Sequence, residues 1–168
     1  SYQTLETLLP TAESLGMIIA VENAFEPSNT PEEVAGCIRH FNSPFIACCL
    51  DIGHAHIMDS EAPRAADTIV EKIREKAWNN KITLRPFAET VKLLAPWIVT
   101  CHTHDNDATA DQHLFPGDGN IDWPRAMAEL RQCPRLESIQ NETNFCARGT
   151  SIARCCRVFR DLAAMIHP

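Results

Sequence analysis

The stretch "PFIACCLD", Pro44 to Asp51, is apolar from Phe45 to Leu50 and ends on an aspartate. A strand with both faces covered is a nearly continuous apolar run, whereas a half-exposed strand alternates apolar and polar residues. Strands of the covered kind occur in parallel sheets that helices flank. The stretch therefore predicts a buried parallel strand with an aspartate at its carboxyl end.

Three other runs are strand candidates. "MIIAVE", Met17 to Glu22, and "WIVTCH", Trp97 to His102, have the same nearly continuous apolar character. "LESIQNE", Leu136 to Glu142, is more polar, and we predict a strand there as well. Each of the four predicted strands ends on an acidic residue or a histidine.

Amphipathic segments separate the predicted strands. Apolar residues recur at helical spacing from Tyr2 to Leu15. Thr30 is a candidate N-cap, followed by Pro31 at the first helical position and Glu33 in a capping box. The remaining helices are predicted over residues 64–78, over Arg85 to Ala95, over Trp123 to Gln132 with Asp122 as the cap, and from Thr150 or Ser151 to near Ile166.

The alternation of helices and strands predicts the fold class. Such an order gives parallel strands joined by right-handed crossovers, which is the α/β class. Neither a low-complexity segment nor a linker rich in Pro, Gly or Ser interrupts the order, and 168 residues suit one compact domain. We therefore treat residues 1–168 as a single α/β domain.

Composition argues against two classes of partner. The net charge is -7, the pI is about 5.4 and the 15 basic residues are scattered, so no surface for nucleic-acid phosphates is expected. No apolar stretch approaches the ~20 residues of a membrane helix. The polar start, "SYQTLETLLPTAES", is unlike a secretory signal. Neither nucleic acid nor a membrane is therefore an expected partner.

Eight cysteines raise the question of disulfide bonds. Cys48–Cys49 and Cys155–Cys156 are adjacent pairs, whose members cannot easily bridge to each other, and no CxxC motif occurs. Most of the cysteines lie in apolar strand-like or helix-like segments, where free thiols act as small hydrophobic residues. We predict buried free thiols in a reducing cytoplasm, with disulfide bonds as the alternative.

The strand ends predict a metal site. The four predicted strands end on Glu22, Asp51, His102 and Glu142. Because the carboxyl ends of parallel strands open on one face, these groups are expected to converge. Three carboxylates and one imidazole suit a divalent ion, with Mn as the first expectation and Mg, Co or Zn as alternatives. Singly, each residue could be a helix cap, a salt-bridge partner or a hydrogen-bonded loop residue, but four from four strands favour a metal site.

Further polar groups follow the strand ends. His54 comes just after the second strand, where Gly53 would allow the chain a sharp turn. Asp111 and His113 lie in the long loop after the third strand, within "CHTHDNDATADQHLFPGDGNIDW". Two other histidines are expected to be structural or exposed, namely His40 near a helix end and His56 in a loop.

Together these segments resemble a known family. The motifs "VEN", "CLDIGHAH", "CHTHDN…DQHLFPGDGNIDW" and "QNE" occur in the order and spacing of the xylose isomerase-like TIM-barrel superfamily. That superfamily contains sugar isomerases and epimerases, and the apurinic endonucleases related to endonuclease IV. The resemblance runs along nearly the whole chain and implies a barrel of the TIM type.

The resemblance also implies roles for individual residues. The family's metal-binding quartet, at the ends of the last four barrel strands, corresponds to Glu22, Asp51, His102 and Glu142. His54 matches a histidine that contacts substrate in epimerases or an additional zinc ion in the endonucleases. Asp111 and His113 match the DxH pair that completes this zinc site. In a sugar-acting member, these three residues would bind substrate.

Only half of the barrel is recognisable. A TIM barrel has eight strands and typically ~250 residues, whereas this sequence supplies strands that resemble the fifth to the eighth. We therefore expect either a missing N-terminal half-barrel or self-association of two half-barrels. A half-barrel by itself would leave two sheet edges and an apolar interior open.

The expected chemistry is proton transfer next to the carbonyl group of a sugar or sugar phosphate. A divalent ion would hold the oxygens of an open-chain sugar and stabilise the enediolate. Glu22 and Glu142 would be the catalytic base and acid. Two alternatives stay open. One is a zinc-dependent apurinic endonuclease-like phosphodiesterase, which the acidic charge disfavours, and the other is a non-catalytic metal-binding remnant.

Overall fold

The computed structural model describes residues 2–64, 84–143 and 149–166. Within them, the strands are β1 (Ile19–Glu22), β2 (Ile46–Asp51), β3 (Ile98–Thr103) and β4 (Ser138–Asn141). The helices are α1 (Tyr2–Leu15), α2 (Pro31–Phe41), α3 (Ile52–Ile57), α4 (Phe87–Leu94), α5 (Trp123–Leu130) and α6 (Ile152–Ile166). Apart from its first residue, the helix predicted over residues 64–78 lies outside the described residues.

The four strands form one parallel sheet in the order β1-β2-β3-β4. This confirms the predicted α/β class, in which helical crossovers join successive parallel strands. The register places Glu22 of β1 beside Cys49 of β2, and Asp51 of β2 beside His102 of β3. The carboxyl ends of all four strands therefore lie at the same end of the sheet.

One face of the sheet packs against helices and forms the core. Ile46, Leu50 and Ile98 contribute from the strands, and Met127 and Leu130 contribute from α5, all of them fully buried. Burial of a side chain of this size stabilises the fold by roughly 1.5–3 kcal/mol. The apolar runs that predicted the strands are thus explained by the helix layer that covers them.

The opposite face of the sheet carries small and polar side chains. Cys49, Thr100 and Ser138 are register neighbours on adjacent strands, and the hydroxyl oxygens of Thr100 and Ser138 lie 2.9 Å apart. Gln140 Nε2 donates a hydrogen bond to Thr100 Oγ1 at 2.9 Å. His102, two residues after Thr100, lies on the same face. The expectation of an apolar barrel interior is therefore wrong, because the side chains described on this face are small or polar.

The predicted helix caps are confirmed. The side-chain oxygens of Thr30, Asp122 and Ser151 each accept a hydrogen bond from the amide three residues later, at 3.4, 3.1 and 3.2 Å. These bonds satisfy amides that have no partner inside their helices. Among the described residues, every helix falls short of the length or the hydropathy that crossing a bilayer requires.

One local prediction is wrong, and one predicted helix is less buried than its core-facing neighbours. The residues after Asp51 form α3 rather than a sharp turn, because the Asp51 side chain caps this helix by accepting a hydrogen bond from His54 N at 2.6 Å. The apolar stripe of α1 is only partly buried. Leu5, Leu9 and Ala12 face the core, whereas Leu8 and Leu15, at one edge of the same stripe, stay exposed.

Five of the described cysteines are buried, namely Cys37, Cys48, Cys49, Cys101 and Cys133. Burial raises the pKa of Cys49 to about 12 and the pKa of Cys133 to about 11. These thiols are therefore neutral and pack as small hydrophobic side chains. Cys155 is half-buried and Cys156 is exposed, which differs from the buried thiols that we predicted.

Candidate metal and active site

The four residues predicted to bind metal come together at the carboxyl end of the sheet. Glu22, Asp51, His102 and Glu142 each place one ligand atom within 4.8 Å of the others. We call them the strand-end cluster. Glu22 and Asp51 are the last residues of β1 and β2, whereas His102 is followed by Thr103 in β3 and Glu142 comes directly after β4.

The donor atoms around the His102 ring fit a shared cation. His102 Nδ1 lies 3.4 Å from Glu22 Oε2 and 3.3 Å from Glu142 Oε2. It lies 3.9 Å from Asp51 Oδ2. Donors bonded to one ion at ~2.1 Å are ~3.0–4.2 Å apart, which covers these distances. His102 Nδ1 and Glu142 Oε2 are buried without a hydrogen-bond partner in the described part of the chain, and an ion between the donors would satisfy both.

The buried Asp51 carboxylate is oriented by two donors. Its Oδ1 accepts hydrogen bonds from His54 N at 2.6 Å and from His104 Nε2 at 3.1 Å. Asn23 fixes the backbone, because its side-chain amide donates to the Asp51 carbonyl at 3.1 Å and its side-chain oxygen accepts from Asp51 N at 2.8 Å. Burial alone would raise the pKa of Asp51, but the His104 hydrogen bond and the charge of His54 lower it. The carboxylate is thus kept ionised.

The two glutamates approach His102 from opposite edges of the sheet. β1 and β4 are its outer strands, so Glu22 and Glu142 arrive from either side. Their side chains are 35% and 39% exposed, which leaves both within reach of a substrate. Burial raises the pKa of Glu142, and the carboxylates of Asp51 and Glu22 add to this effect against the opposing charge of His102.

A second group of donors adjoins the first, and we call it the loop cluster. It comprises His54, His104, Asp111 and His113, whose ligand atoms also lie within 4.8 Å of one another. Asp111 Oδ2 lies 3.4 Å from His54 Nε2 and 3.2 Å from His113 Nε2. The rings of His104 and His113 are stacked with their centroids 4.0 Å apart.

Backbone carbonyls orient two of these rings. His54 Nδ1 donates to the Asn23 carbonyl at 3.0 Å, and His113 Nδ1 donates to the Glu142 carbonyl at 2.7 Å. A carbonyl oxygen only accepts, so Nδ1 carries the proton in both rings. Each Nε2 is left facing Asp111, which is how metal-binding histidines are commonly held.

Charge interactions among its members hold the loop cluster together. Burial would lower the pKa of His54, but the hydrogen bond to Asp111 and the charge of Asp51 outweigh it and raise this pKa to about 9. Burial would raise the pKa of Asp111, but His54 and His113 lower it to about 2. A proton on His54 therefore supplies the positive charge that a cation would otherwise supply.

The buried Asp105 carboxylate shapes the loop that contains Asp111 and His113. Its hydrogen-bond donors are the amides of Asn106, Gly117 and Ile121 and the indole of Trp123, at 2.9, 2.8, 3.2 and 2.8 Å. A Cβ at Gly119 would overlap Asp105, so glycine is needed there. His113 has a left-handed backbone with φ of 47°, which costs a non-glycine residue roughly 1–2 kcal/mol.

All seven residues predicted for the site lie in the two clusters. Their roles in metal binding, substrate binding and catalysis stay predictions. His56 is buried in α3 rather than in a loop, where its Nε2 lies 2.6 Å from Asn120 Oδ1, and His40 is exposed. Both were expected to be structural or exposed, and neither belongs to a cluster.

Three residues of the site had no role assigned from the sequence: Asn23, His104 and Asp105. His104 follows His102 by two residues, and strand periodicity places such residues on one side, so that signal was available. Asn23 and Asp105 gave no comparable signal. Their partners are mainly backbone groups, which only the folded chain brings into reach.

Comparison with known proteins identifies the family. Residues 1–134 match the family described as xylose isomerase-like TIM barrel. An uncharacterized protein of Methanocaldococcus jannaschii is 24% identical over 136 residues, which are 79% of this chain and 39% of that protein. A crystal structure described as a D-tagatose 3-epimerase-like protein shares the fold, with a TM-score of 0.69 and 20% identity over 98% of this chain and 54% of that one. The chain thus spans about half, or less, of the length of these two proteins. Because the family match covers most of its residues, the chain belongs to the xylose isomerase-like TIM-barrel family.

Proposed function

We propose that the protein is a divalent-metal-dependent isomerase or epimerase of sugars or sugar phosphates. The observation that carries the proposal is the pair of buried, unpartnered atoms His102 Nδ1 and Glu142 Oε2 within a set that contains two glutamates. Moving a proton next to a carbonyl needs acid–base groups and a stabiliser of negative charge. The strand-end cluster offers both, and the likeness to a D-tagatose 3-epimerase-like protein supports the same class.

The strand-end cluster would hold the ion through three carboxylates and His102. Such a donor set suits Mn first, with Mg, Co and Zn as alternatives. When bound, a divalent ion polarises the sugar carbonyl and stabilises the negative charge that develops on neighbouring oxygens. The chain keeps Asp51 ionised and oriented for this purpose, through the hydrogen bonds from His54 N and His104.

Glu22 and Glu142 would transfer the proton. They reach His102 from opposite edges of the sheet, so a substrate between the two carboxylates presents one face to each. One carboxylate removes the proton, and the other returns it to the opposite face in an epimerase. In an isomerase one of them suffices.

The loop cluster would position the substrate. His54, Asp111 and His113 are partly exposed and offer donors and an acceptor to sugar hydroxyl groups. His113 Nδ1 is bonded to the Glu142 carbonyl, so a hydroxyl held at His113 Nε2 stays near the catalytic carboxylate. Substrate orientation and proton transfer are in this way linked through one short stretch of backbone.

Glu142→Gln tests the proposal. The change removes a proton acceptor but keeps size and polarity, so we expect proton transfer to slow by roughly 10²–10⁴-fold with sugar affinity largely retained. The measurement is deuterium incorporation next to the carbonyl, followed by NMR in heavy water, for Mn-loaded protein and a panel of aldoses and ketoses. Glu137→Gln is the matched control, because Glu137 is exposed just before β4 and outside both clusters.

Two outcomes would contradict the proposal in different ways. Exchange near the wild-type rate in Glu142→Gln would remove Glu142 from the acid–base pair. A wild-type protein that binds the ion but exchanges no proton with any sugar would favour the non-catalytic metal-binding alternative.

A zinc-dependent apurinic endonuclease-like phosphodiesterase is the second candidate. The loop cluster favours it, because His54, Asp111 and His113 form a ready donor set for a further ion. The net charge of -7 disfavours a nucleic-acid substrate. Metal analysis after dialysis separates the candidates, since one ion per active site favours sugar chemistry and several zinc ions favour phosphodiester cleavage.

We further propose that a second half-barrel covers the open side of the sheet, either as an N-terminal part of a longer chain or as a second copy. Within the described ranges, no strand pairs with the outer edge of β1 or β4. Leu8, Leu15 and Met17 are 47%, 64% and 59% exposed, and such apolar surface commonly marks an interface. A stable folded monomer of this chain in sedimentation would contradict both forms of the proposal.

A further inference from the structure

We propose that His104 is a positioning residue that aims the Asp51 carboxylate into the strand-end cluster and links that cluster to the loop cluster. This inference rests on the proposed function, because it concerns how the same site holds its ion. His104 is the fully buried member of the loop cluster and contacts Asp51 of the strand-end cluster. It follows His102, the imidazole of the strand-end cluster, by two residues.

The contacts of His104 Nε2 favour a hydrogen bond to Asp51 over binding of a metal ion in the loop cluster. Nε2 lies 3.1 Å from Asp51 Oδ1 and 3.2 Å from Asp51 Oδ2, whereas Asp111 Oδ1 is 3.8 Å away. Oδ1 also accepts the His54 N–H, so its lone pairs are engaged. Oδ2 faces His102 Nδ1 at 3.9 Å and has His104 Nε2 as its one hydrogen-bond partner in the described residues, so it keeps a lone pair for an ion.

The surroundings of the ring fix its place. A Cβ on Gly53 would overlap the His104 ring, so α3 passes directly against it only because this position is glycine. The ring also meets His54 edge-on and stacks on His113, with the His113 ring plane 15° away from its own. The ring therefore lies between α3 and the loop that contains Asp111, and it connects that loop to Asp51.

Stability alone does not explain a histidine here. His104 Nδ1 is buried and has no hydrogen-bond partner in the described part of the chain. A buried polar atom without a partner destabilises the fold, and an apolar side chain of similar size would avoid that loss. The hydrogen bond to Asp51 is what an apolar side chain would lose. That bond is the contribution we assign to His104.

The test compares His104→Leu with His104→Gln. Leu keeps bulk but donates nothing, while the Gln side-chain amide can donate from near the Nε2 position. Outer-shell partners of metal ligands typically contribute 10–100-fold in affinity, so we expect His104→Leu to weaken Mn binding by about that factor. His104→Gln should bind Mn close to the wild-type level. Both are measured by competition with a chelating dye, with thermal unfolding of the metal-free proteins recorded alongside.

Gly53→Ala provides an independent route to the same effect. Alanine favours a helix more than glycine does, so α3 itself should not be weakened. The added methyl group should push the His104 ring off Asp51 and lower Mn affinity as His104→Leu does. In the double variant Gly53→Ala/His104→Ala the methyl group has room, so its affinity should be no lower than that of His104→Ala. A fully additive loss would overturn the proposed action through His104.

His56→Gln is the matched control for removal of a buried histidine. His56 contacts Asn120 and lies outside both clusters, so the variant should lose stability without losing Mn affinity. Wild-type affinity in His104→Leu would overturn the inference while leaving the proposed function intact. Loss of Mn affinity in His104→Gln equal to that in His104→Leu would also overturn it. A wild-type protein that binds no divalent ion would overturn the proposed metal dependence and, with it, this inference.

Discussion

The strand-end cluster and the loop cluster adjoin each other, yet they are built in different ways. The donors of the strand-end cluster come from four separate strands, and the sheet register alone brings them to one point. Their facing atoms include two without hydrogen bonds, His102 Nδ1 and Glu142 Oε2. In the loop cluster, by contrast, His54 and His113 are bonded to backbone carbonyls and face one carboxylate, Asp111.

The difference indicates what each region needs. The strand-end donors are supported by the rigid sheet but leave their charge and hydrogen-bonding capacity unfilled, which is the condition for binding a cation tightly. The loop donors neutralise one another through the ion pair of His54 with Asp111, which suits groups that bind a substrate through hydrogen bonds. Three variants or conditions should separate the two regions.

Asp51→Asn should have the largest effect on the strand-end cluster. The change removes the charge of the one fully buried ligand and leaves His104 with a weaker acceptor. We expect Mn affinity to fall by more than the ~10–100-fold typical of an outer-shell partner. Asp59→Asn is the matched control, because Asp59 is also buried near α3 but belongs to neither cluster. Similar Mn affinities of Asp51→Asn and wild-type protein in a dye-competition titration would rule out Asp51 as a ligand.

Asp105→Ala should damage the loop cluster more than the strand-end cluster. Loss of this carboxylate leaves several buried N–H groups without an acceptor, which should lower the free energy of unfolding by about 3 kcal/mol. We expect sugar affinity to fall while Mn affinity changes less. Asp118→Ala, which breaks only an exposed ion pair with Arg154, should cost no more than ~1 kcal/mol. Equal losses in urea unfolding of the two variants would contradict the organising role of Asp105.

The smallest effect is expected from pH on the metal-free protein. The pKa of His54 rises from 6.5 to about 9 on folding, so its stabilising contribution is complete below pH 6.5 and is lost as pH rises through 9. The pKa of Asp111 falls from 3.8 to about 2, so its contribution is present above pH 3.8 and is lost as pH falls through 2. In the presence of a chelator, Asp111→Asn should therefore flatten the decline in unfolding free energy between pH 6.5 and 9.

Asp118→Asn is the control for this pH dependence, because its partner Arg154 does not titrate in that range. It should keep the wild-type slope. A slope that Asp111→Asn leaves unchanged would show that other groups are responsible for the decline.

Much of the fold was predictable, because it depends on local patterns. The apolar run before Asp51 predicted a covered parallel strand, and that strand is the centre of the core. Thr30 and Asp122 predicted helix starts, because an N-cap oxygen accepts a hydrogen bond from the amide only three residues later, so the signal is local in the sequence. The exposure of Leu8 in α1 was not predictable, since periodicity shows that a helix has an apolar face but not how much of it is covered.

The candidate site was predictable where one rule of topology applies. Parallel strands present their carboxyl ends together, so Asp51 and His102 could be placed side by side without coordinates. The role of His104 could not be predicted from the sequence. Its ring reaches Asp51 only because Gly53 in α3 has no Cβ that would overlap the ring. The helix α3 was itself not predicted, since we interpreted Asp51 as the end of a strand and not as an N-cap.

The sequence by itself determined the order of the strands, the described helices other than α3, the caps at Thr30, Asp122 and Ser151, and the identity of the strand-end residues, because these depend on composition and spacing along the chain. Tertiary structure alone decided how those donors are held. Asn23, His104 and Asp105 act on groups distant in the chain or on loop backbone, and such partners come within hydrogen-bond distance only when the sheet and loops have packed. A hydrogen bond needs its two heavy atoms about 3 Å apart, and spacing along the sequence does not say which distant residues the fold brings that close.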